Sequence, residues 1–303
     1  MKSLWFSTGG IHIATMIGML SELQTRLDEP DAIGGISAGA MIAAVCATYG
    51  VNEGIEVMTK HMGDKLLKNR HRYFNTILSL LFNESLVDSN NLLQVADTIL
   101  TGRKLLSDLY IAYTDKDTME YVSKKFEKGK TYNELYKHVV ASMSIPLVLP
   151  PTKIKDHSYV DGGLYHSLPV EGINRVVEEA LAKKDPLDLV VLMTKPWNYH
   201  LKKDSSKVKI FKIIKEGLHF MSGYQCIRVH NDEFVLKQIL NSAKISGEHI
   251  NYSLFHLKQE DTEYWDEKIP FQKYAAIQHK EIQDLIQLGK NIVTESLTTN
   301  LKF

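Results

Sequence analysis

Cysteine is scarce in this sequence: Cys46 and Cys226 are the two in 303 residues. Two isolated cysteines build neither a disulfide framework nor a zinc site, which suits a reducing compartment. Cys46 lies in the apolar run Ala38–Ala47 and reads as a small buried hydrophobe. Net charge is lacking too. Thirty-six basic residues balance thirty-six acidic ones, so nothing global draws the chain to nucleic acid, and attraction to a membrane would have to come from a local patch. The longest apolar run, around Ala38–Val51, carries glycines and falls short of the roughly 20 residues a bilayer span requires. The apolar stretch in Met1–Ser7 is too short for a signal-peptide core. Twelve histidines show no H-E-x-x-H or similar spacing, so no metal site is expected, and without G-x-G-x-x-G or G-K-[ST] a nucleotide site is poorly supported. There is no internal repeat, low-complexity segment or clear linker. The expectation is one domain over residues 1–303, cytoplasmic or peripheral to a membrane, using no metal and no cofactor.

What is present alternates between two periods. Lys2–Ser7 is a short apolar run ending at Gly9-Gly10, and Ile13, Met16, Ile17, Leu20 and Leu23 then recur at helical spacing. Ala32–Ile36 repeats the strand signal, and the small apolar residues Ala38–Ala47 suit a buried helix. Residues 52–130 are less strand-like, with a helix near Asn91–Leu100 and a small hairpin or sheet addition from Tyr110–Thr114 and Glu120–Val122. A helix over Val139–Ile145 should stop before Pro146, Pro150 and Pro151. Leu187–Met193 has the near-continuous apolar character of a central parallel strand. Helices are expected at Val208–Met221, Asp232–Ile245 and Ala275–Val293, with a late strand at Tyr252–Leu257. This predicts an α/β fold in three layers, α/β/α, around a mostly parallel sheet holding Lys2–Phe6, Ala32–Ile36, Tyr159–Val160 and Leu187–Met193.

Three short motifs carry chemistry. Gly35-Ile36-Ser37-Ala38-Gly39 is G-x-S-x-G between a strand-like and a helix-like run, the context in which a serine is projected from a sharp turn. Gly35 and Gly39 would let neighbouring backbone approach this elbow, and the following helix start would add positive potential. The same residues also suit a purely structural glycine turn. Gly9-Gly10 leaves backbone N–H groups uncovered before a helix, a cradle for a phosphate or an oxyanion, or simply a tight turn. Val160-Asp161-Gly162-Gly163 is either a rigidly held carboxylate or a plain Asp-Gly turn.

Taken together and in this order, the motifs resemble the patatin-like phospholipase family from Leu4 to about Val170. Ile33–Ala40 is similar to that family's serine elbow. Ala141-Ser142-Met143-Ser144-Ile145-Pro146, Tyr159–Leu164 and Leu168-Pro169-Val170 are similar to its proline-marked approach to, and passage through, D-G-G/A. The family's glycine-rich loop, G-G-G-x-[KR]-G, is represented by Thr8-Gly9-Gly10-Ile11-His12-Ile13, so Thr8, His12 and Ile13 depart from it. The resemblance implies a serine hydrolase with a Ser37–Asp161 catalytic dyad and an oxyanion hole from the N–H groups of Gly9, Gly10 and Ile11. The implied substrate is a lipid or phospholipid fatty-acyl ester, as for a phospholipase A or lysophospholipase. Two alternatives stand beside it. One is a Ser–His–Asp esterase drawing on His166, His200, His219, His230, His249, His256 or His279. The other is a lipid-binding or regulatory protein of the same fold without turnover. Two stretches offer peripheral membrane contact: the basic run Lys65–Arg72 ahead of apolar Phe74–Phe82, and the lysines from Lys202 to Lys215. A packed lid-side helix and an ordinary amphipathic surface helix explain them as well.

Overall fold

Strand β1 (Lys2–Phe6) and strand β2 (Ala32–Ile36) show how the sequence builds its sheet. Leu4 and Phe6 point to one face and Trp5 to the other, and all three are fully buried. The Gly34 in β2 makes room for the indole. A Cβ there would lie 2.2 Å from Trp5 Cζ3, and one on Gly172 would lie 2.9 Å from the same atom. The computed structural model describes residues 1–27, 29–62, 89–146, 148–195, 228–244, 249–258, 260–261 and 279–298. The expected helix at Val208–Met221, the two basic-apolar stretches and Cys226 lie outside these residues.

Helix α1 (Ile13–Leu23) follows β1, and α2 (Ala38–Tyr49) and α3 (Val51–Met62) follow β2. Next come α4 (Asn90–Leu100), β3 (Asp108–Asp115), β4 (Tyr121–Phe126), α5 (Leu135–Met143), β5 (Thr152–Ile154) and β6 (His157–Asp161). The chain continues through α6 (Val170–Lys183), β7 (Leu187–Met193), α7 (residues 228–244), β8 (Ile250–His256) and α8 (His279–Thr298). The strands join one sheet in the order β5-β6-β3-β2-β1-β7-β8, with β4 also paired to β3. The five strands β3, β2, β1, β7 and β8 run parallel; β4, β5 and β6 add antiparallel pairs.

Helices cover both faces. Leu4, Phe6, Ile33, Leu109, Ile111 and Leu192 face one core with α1, α2, α4, α5 and α8. Trp5, Tyr110, Leu189, Val191 and Met193 face a second core under α6 and α7. At about 1.5–3 kcal/mol per fully buried large apolar side chain, these two layers are the main favourable term in the fold. The α/β/α architecture expected from the sequence is therefore present. Tyr110–Thr114, read as part of a small addition, instead lies in the long central strand β3, and Tyr159–Val160 lies in β6, antiparallel to β3. Among the described residues, no helix is long and apolar enough to cross a membrane.

Candidate active site

The parallel strands all end on one side of the sheet. From β1 the chain builds outward through β2 and β3, then returns to the opposite flank with β7 and β8. In open α/β sheets, ligands bind beyond the carboxyl ends of the strands where the order reverses. Here that place lies just past β1 and β7, with the end of β2 beside it.

Ser37 follows β2 directly and precedes α2. Its φ of 57° and ψ of −129° are unusual for a residue with a side chain, a strain of order 1–3 kcal/mol that the surroundings must hold. Small flanks make it possible. A Cβ on Gly35 would sit 2.2 Å from the Gly39 carbonyl oxygen, and one on Gly39 would sit 2.4 Å from the Ser7 carbonyl oxygen. Both predicted elbow glycines are thus required by backbone contacts. Helix α2 is apolar and buried on every side, and its positive N-terminal end opens at Ser37.

Asp161 reaches the same point from the opposite direction. Along β3, Ala112 is paired with Ile36 at the end of β2, and the next residue, Tyr113, is paired with Asp161 at the end of β6. Strand β4 occupies the other edge of β3 over these residues, so β2 and β6 share one edge and meet end to end. The two strands abut with Ser37 and Asp161 at the junction. Both residues are buried, 5% and 4% exposed, and the Ser37 hydroxyl lies near enough to the Asp161 carboxylate to favour its charged form. The Gly163 N–H donates to Asp161 Oδ1 at 2.7 Å. Burial pushes the Asp161 carboxyl up from 3.8 to about 6; the nearby Ser37 hydroxyl, the Gly163 N–H and the charge of Arg228 hold the rise in check.

The glycine loop lies beside them. Gly9 and Gly10 follow β1, and a short 3₁₀ turn, Gly10–His12, leads into α1, with Gly10 at φ 51°. Ile11 sits inside that turn. The positions that depart from the family loop are occupied as follows. His12 and Ile13 are buried at the start of α1. Thr8 packs its methyl against Gly163, where a Cβ would meet Thr8 Cγ2 at 2.9 Å and Asp161 Oδ1 at 2.8 Å. The three sequence motifs therefore converge on one site.

The match to known proteins agrees with this geometry. The sequence pattern described as "Patatin-like phospholipase" fits residues 4–173, more than half of the chain. The chain belongs to the patatin-like phospholipase family. One curated relative is "Neuropathy target esterase sws" of Drosophila melanogaster, 25% identical over 206 residues; the match takes in 63% of this chain and 14% of that protein. Among solved structures, VipD from Legionella pneumophila is similar with a TM-score of 0.44 and 15% identity, over 98% of this chain and 67% of that one.

Within this patatin-like frame, several residues that hold the site were legible in the sequence only as parts of motifs, or not at all. Ser142 Oγ accepts the N–H of Ser37 at 2.9 Å and donates to the Ala112 carbonyl at 2.6 Å. The Ser144 carbonyl accepts the Asp161 N–H at 3.0 Å. Asp232 on α7 is fully buried and accepts from the backbone N–H groups of Ser167 and Leu168 and from His166 Nδ1, at 2.6 Å for the last. It fixes the segment just after Asp-Gly-Gly. Of the other candidate histidines, 200 and 219 lie outside the described residues, and His256 donates from Nδ1 to the Leu257 carbonyl. No local pattern marks Asp232 or Arg228, because their partners come from a distant part of the chain.

Proposed function

We propose that this protein is a lipid acyl hydrolase in which Ser37 is the nucleophile and Asp161 its base. The observation that carries the reading is the meeting of buried Ser37 and Asp161 where β2 and β6 abut on one edge of β3, with the Asp161 carboxylate made more basic by burial. An ordinary aspartate, with a pKa near 3.9, is a weak base toward a serine hydroxyl. At about 6 the mismatch is smaller, and a dry site strengthens every charge–dipole contact that forms. As Oγ attacks the ester carbonyl carbon, its proton passes to Asp161. The carbonyl oxygen becomes an oxyanion facing the N–H groups of Gly9, Gly10 and Ile11. Collapse of this intermediate breaks the bond to the alcohol oxygen, which takes the proton from Asp161 and leaves an acyl-serine. Water then gives a proton to Asp161 and attacks the acyl carbon, and the fatty acid departs as the proton returns to Ser37. Family membership supports a lipid ester as the substrate class.

A Ser–His–Asp arrangement has one observation in its favour, the His166–Asp232 pair. Two backbone N–H groups share that carboxylate, which is the pattern of a structural brace. Ser37→Ala should abolish turnover of short-chain nitrophenyl and lysophospholipid esters, together with labelling by a fluorophosphonate, while leaving the melting temperature nearly unchanged. His166→Gln should keep turnover within about tenfold, a change of about 1.4 kcal/mol in the barrier. Labelling that persists at another serine would sink the assignment of Ser37. A thousandfold loss in folded His166→Gln would replace the dyad by a triad.

A further inference from the structure

The peptide joining Thr8 to Gly9 is held from one side. The Thr8 carbonyl accepts two hydroxyl hydrogen bonds, from Thr194 Oγ1 at 2.6 Å and from Ser7 Oγ at 2.8 Å. Ser7 Oγ is itself fixed by the N–H of Thr194 at 3.1 Å. Ser7 and Thr194 are both almost fully buried. Thr194 follows β7, and β7 and β2 flank β1 on opposite sides, so the Thr8 carbonyl points toward the β7 flank. All peptide bonds among the described residues are trans. In a trans peptide the carbonyl and the next N–H point in opposite directions. The Gly9 N–H therefore turns away from Thr194, and Ser37 emerges on the other flank of β1, at the end of β2.

The flanking groups are anchored, since the Thr8 N–H donates to the Ser167 carbonyl at 2.8 Å and the Gly9 carbonyl accepts the His12 N–H at 2.9 Å, which leaves the joining peptide to turn about its own axis. Gly9 has no side chain to resist a crankshaft rotation, and Gly10 already occupies positive φ. Gly9 also abuts the clamp, since a Cβ there would meet Thr194 Cγ2 at 2.8 Å. A flipped peptide would present a carbonyl oxygen to the developing oxyanion instead of a donor, replacing attraction by repulsion.

Building on the hydrolase reading above, we propose that Thr194 and Ser7 are positioning residues whose hydroxyls lock the Thr8–Gly9 peptide with its N–H turned toward Ser37, so that an oxyanion donor is in place before substrate arrives. Neither side chain touches the reacting atoms; both act through the peptide they hold. Such a lock favours the transition state over the ground state, because the oxygen gains its charge only as the tetrahedral centre forms.

The test compares wild type, Thr194→Val, Thr194→Ser and Ser7→Ala as full-length chains. The readouts are nitrophenyl butyrate turnover and inhibition by an alkyl trifluoromethyl ketone, whose adduct with Ser37 carries the oxyanion. Thr194→Val should lose 10- to 100-fold in kcat with KM within threefold, and the ketone should weaken by the same factor. Thr194→Ser keeps the hydroxyl and should stay within threefold of wild type on both measures. Ser7→Ala leaves one clamp and should lose less, about 3- to 10-fold. A folded Thr194→Val with wild-type kcat and ketone affinity overturns the proposal. So does a Thr194→Ser variant as impaired as Thr194→Val, which would assign the effect to packing against Gly9. Should Thr194→Val fail to fold, wild-type kcat and ketone affinity in Ser7→Ala overturn it. A wild-type protein inert to both probes overturns the hydrolase reading, and the clamp's role with it; an active wild type with an unaffected Thr194→Val overturns the clamp alone.

Discussion

A carboxylate held away from water lowers stability by an amount its own pKa reports. Asp161 rises from 3.8 to about 6 on folding, chiefly because burial penalises the charged form. Between those two values the folded protein binds more protons than the unfolded chain, so stability falls as pH rises through this window and the loss is complete above about 6. At about 1.4 kcal/mol per pKa unit the total is roughly 3 kcal/mol. Activity should run the other way, since a base must be unprotonated to accept from Ser37. The acid limb of kcat/KM is expected to have an apparent pKa near 6. Asp161→Asn should remove that limb along with nearly all turnover. It should also be more stable than wild type at pH 8, by up to roughly 3 kcal/mol, with the advantage fading below pH 4. Urea denaturation of both proteins at pH 4 and pH 8 checks the sign; an advantage confined to low pH would contradict it. Cys46 shows burial acting on a group with no task in the site, its thiol pushed up to about 12 and so kept protonated at any working pH.

At the level of elements, one helix ties the two halves of the site together. From α5 and its C-terminal turn, the hydroxyl of Ser142 grips the Ser37 backbone and the carbonyl of Ser144 grips that of Asp161. One turn earlier His138 packs under β3, where Tyr113 and Lys124 meet its two ring nitrogens at 3.0 and 3.2 Å. Burial drives His138 down to about 3, leaving it a neutral brace at working pH. Ser142→Ala would strand the Ser37 N–H without its partner in a buried site, a cost of about 1–3 kcal/mol. The expected outcome is a lower urea midpoint and a kcat reduced by up to about tenfold, as the elbow loses the contact that fixes its strained backbone; unchanged values of both would show that the elbow holds itself. The expected helix at Val139–Ile145 overlaps α5, which begins four residues earlier and ends at Met143, ahead of Pro146, while the sequence pattern makes β3 look peripheral. Strand β3 carries tyrosines and a threonine where an apolar run would advertise a buried strand. Their burial depends on partners such as His138 and Tyr159 that the local sequence does not reveal.

At the scale of the whole molecule, two glycines let the backbones of α1 and α8 approach closely. A Cβ on Gly18 would lie 2.0 Å from the Ile286 carbonyl oxygen, and one on Gly289 would lie 2.0 Å from the Thr15 carbonyl oxygen. In an isolated helix, glycine to alanine gains up to about 1 kcal/mol. Here the added methyl meets backbone that cannot step aside, and overpacking of this kind costs about 1–3 kcal/mol or more. Gly18→Ala and Gly289→Ala should therefore each lower the melting temperature by several degrees despite their better helix propensity. A rise in either would mean that the crossing is looser than drawn. By itself the sequence determined the strand–glycine–helix units, the two-sided burial of Leu187–Met193 and the motifs at Ser37, Asp161 and Gly9-Gly10. These are local matters of periodicity and of the small residues that sharp turns require. Tertiary structure alone decided that Ser37 and Asp161 meet, because their contact follows from a parallel and an antiparallel strand abutting on the same edge of β3. It also decided which way the Thr8–Gly9 peptide faces, because the hydroxyl that turns it comes from the far end of β7.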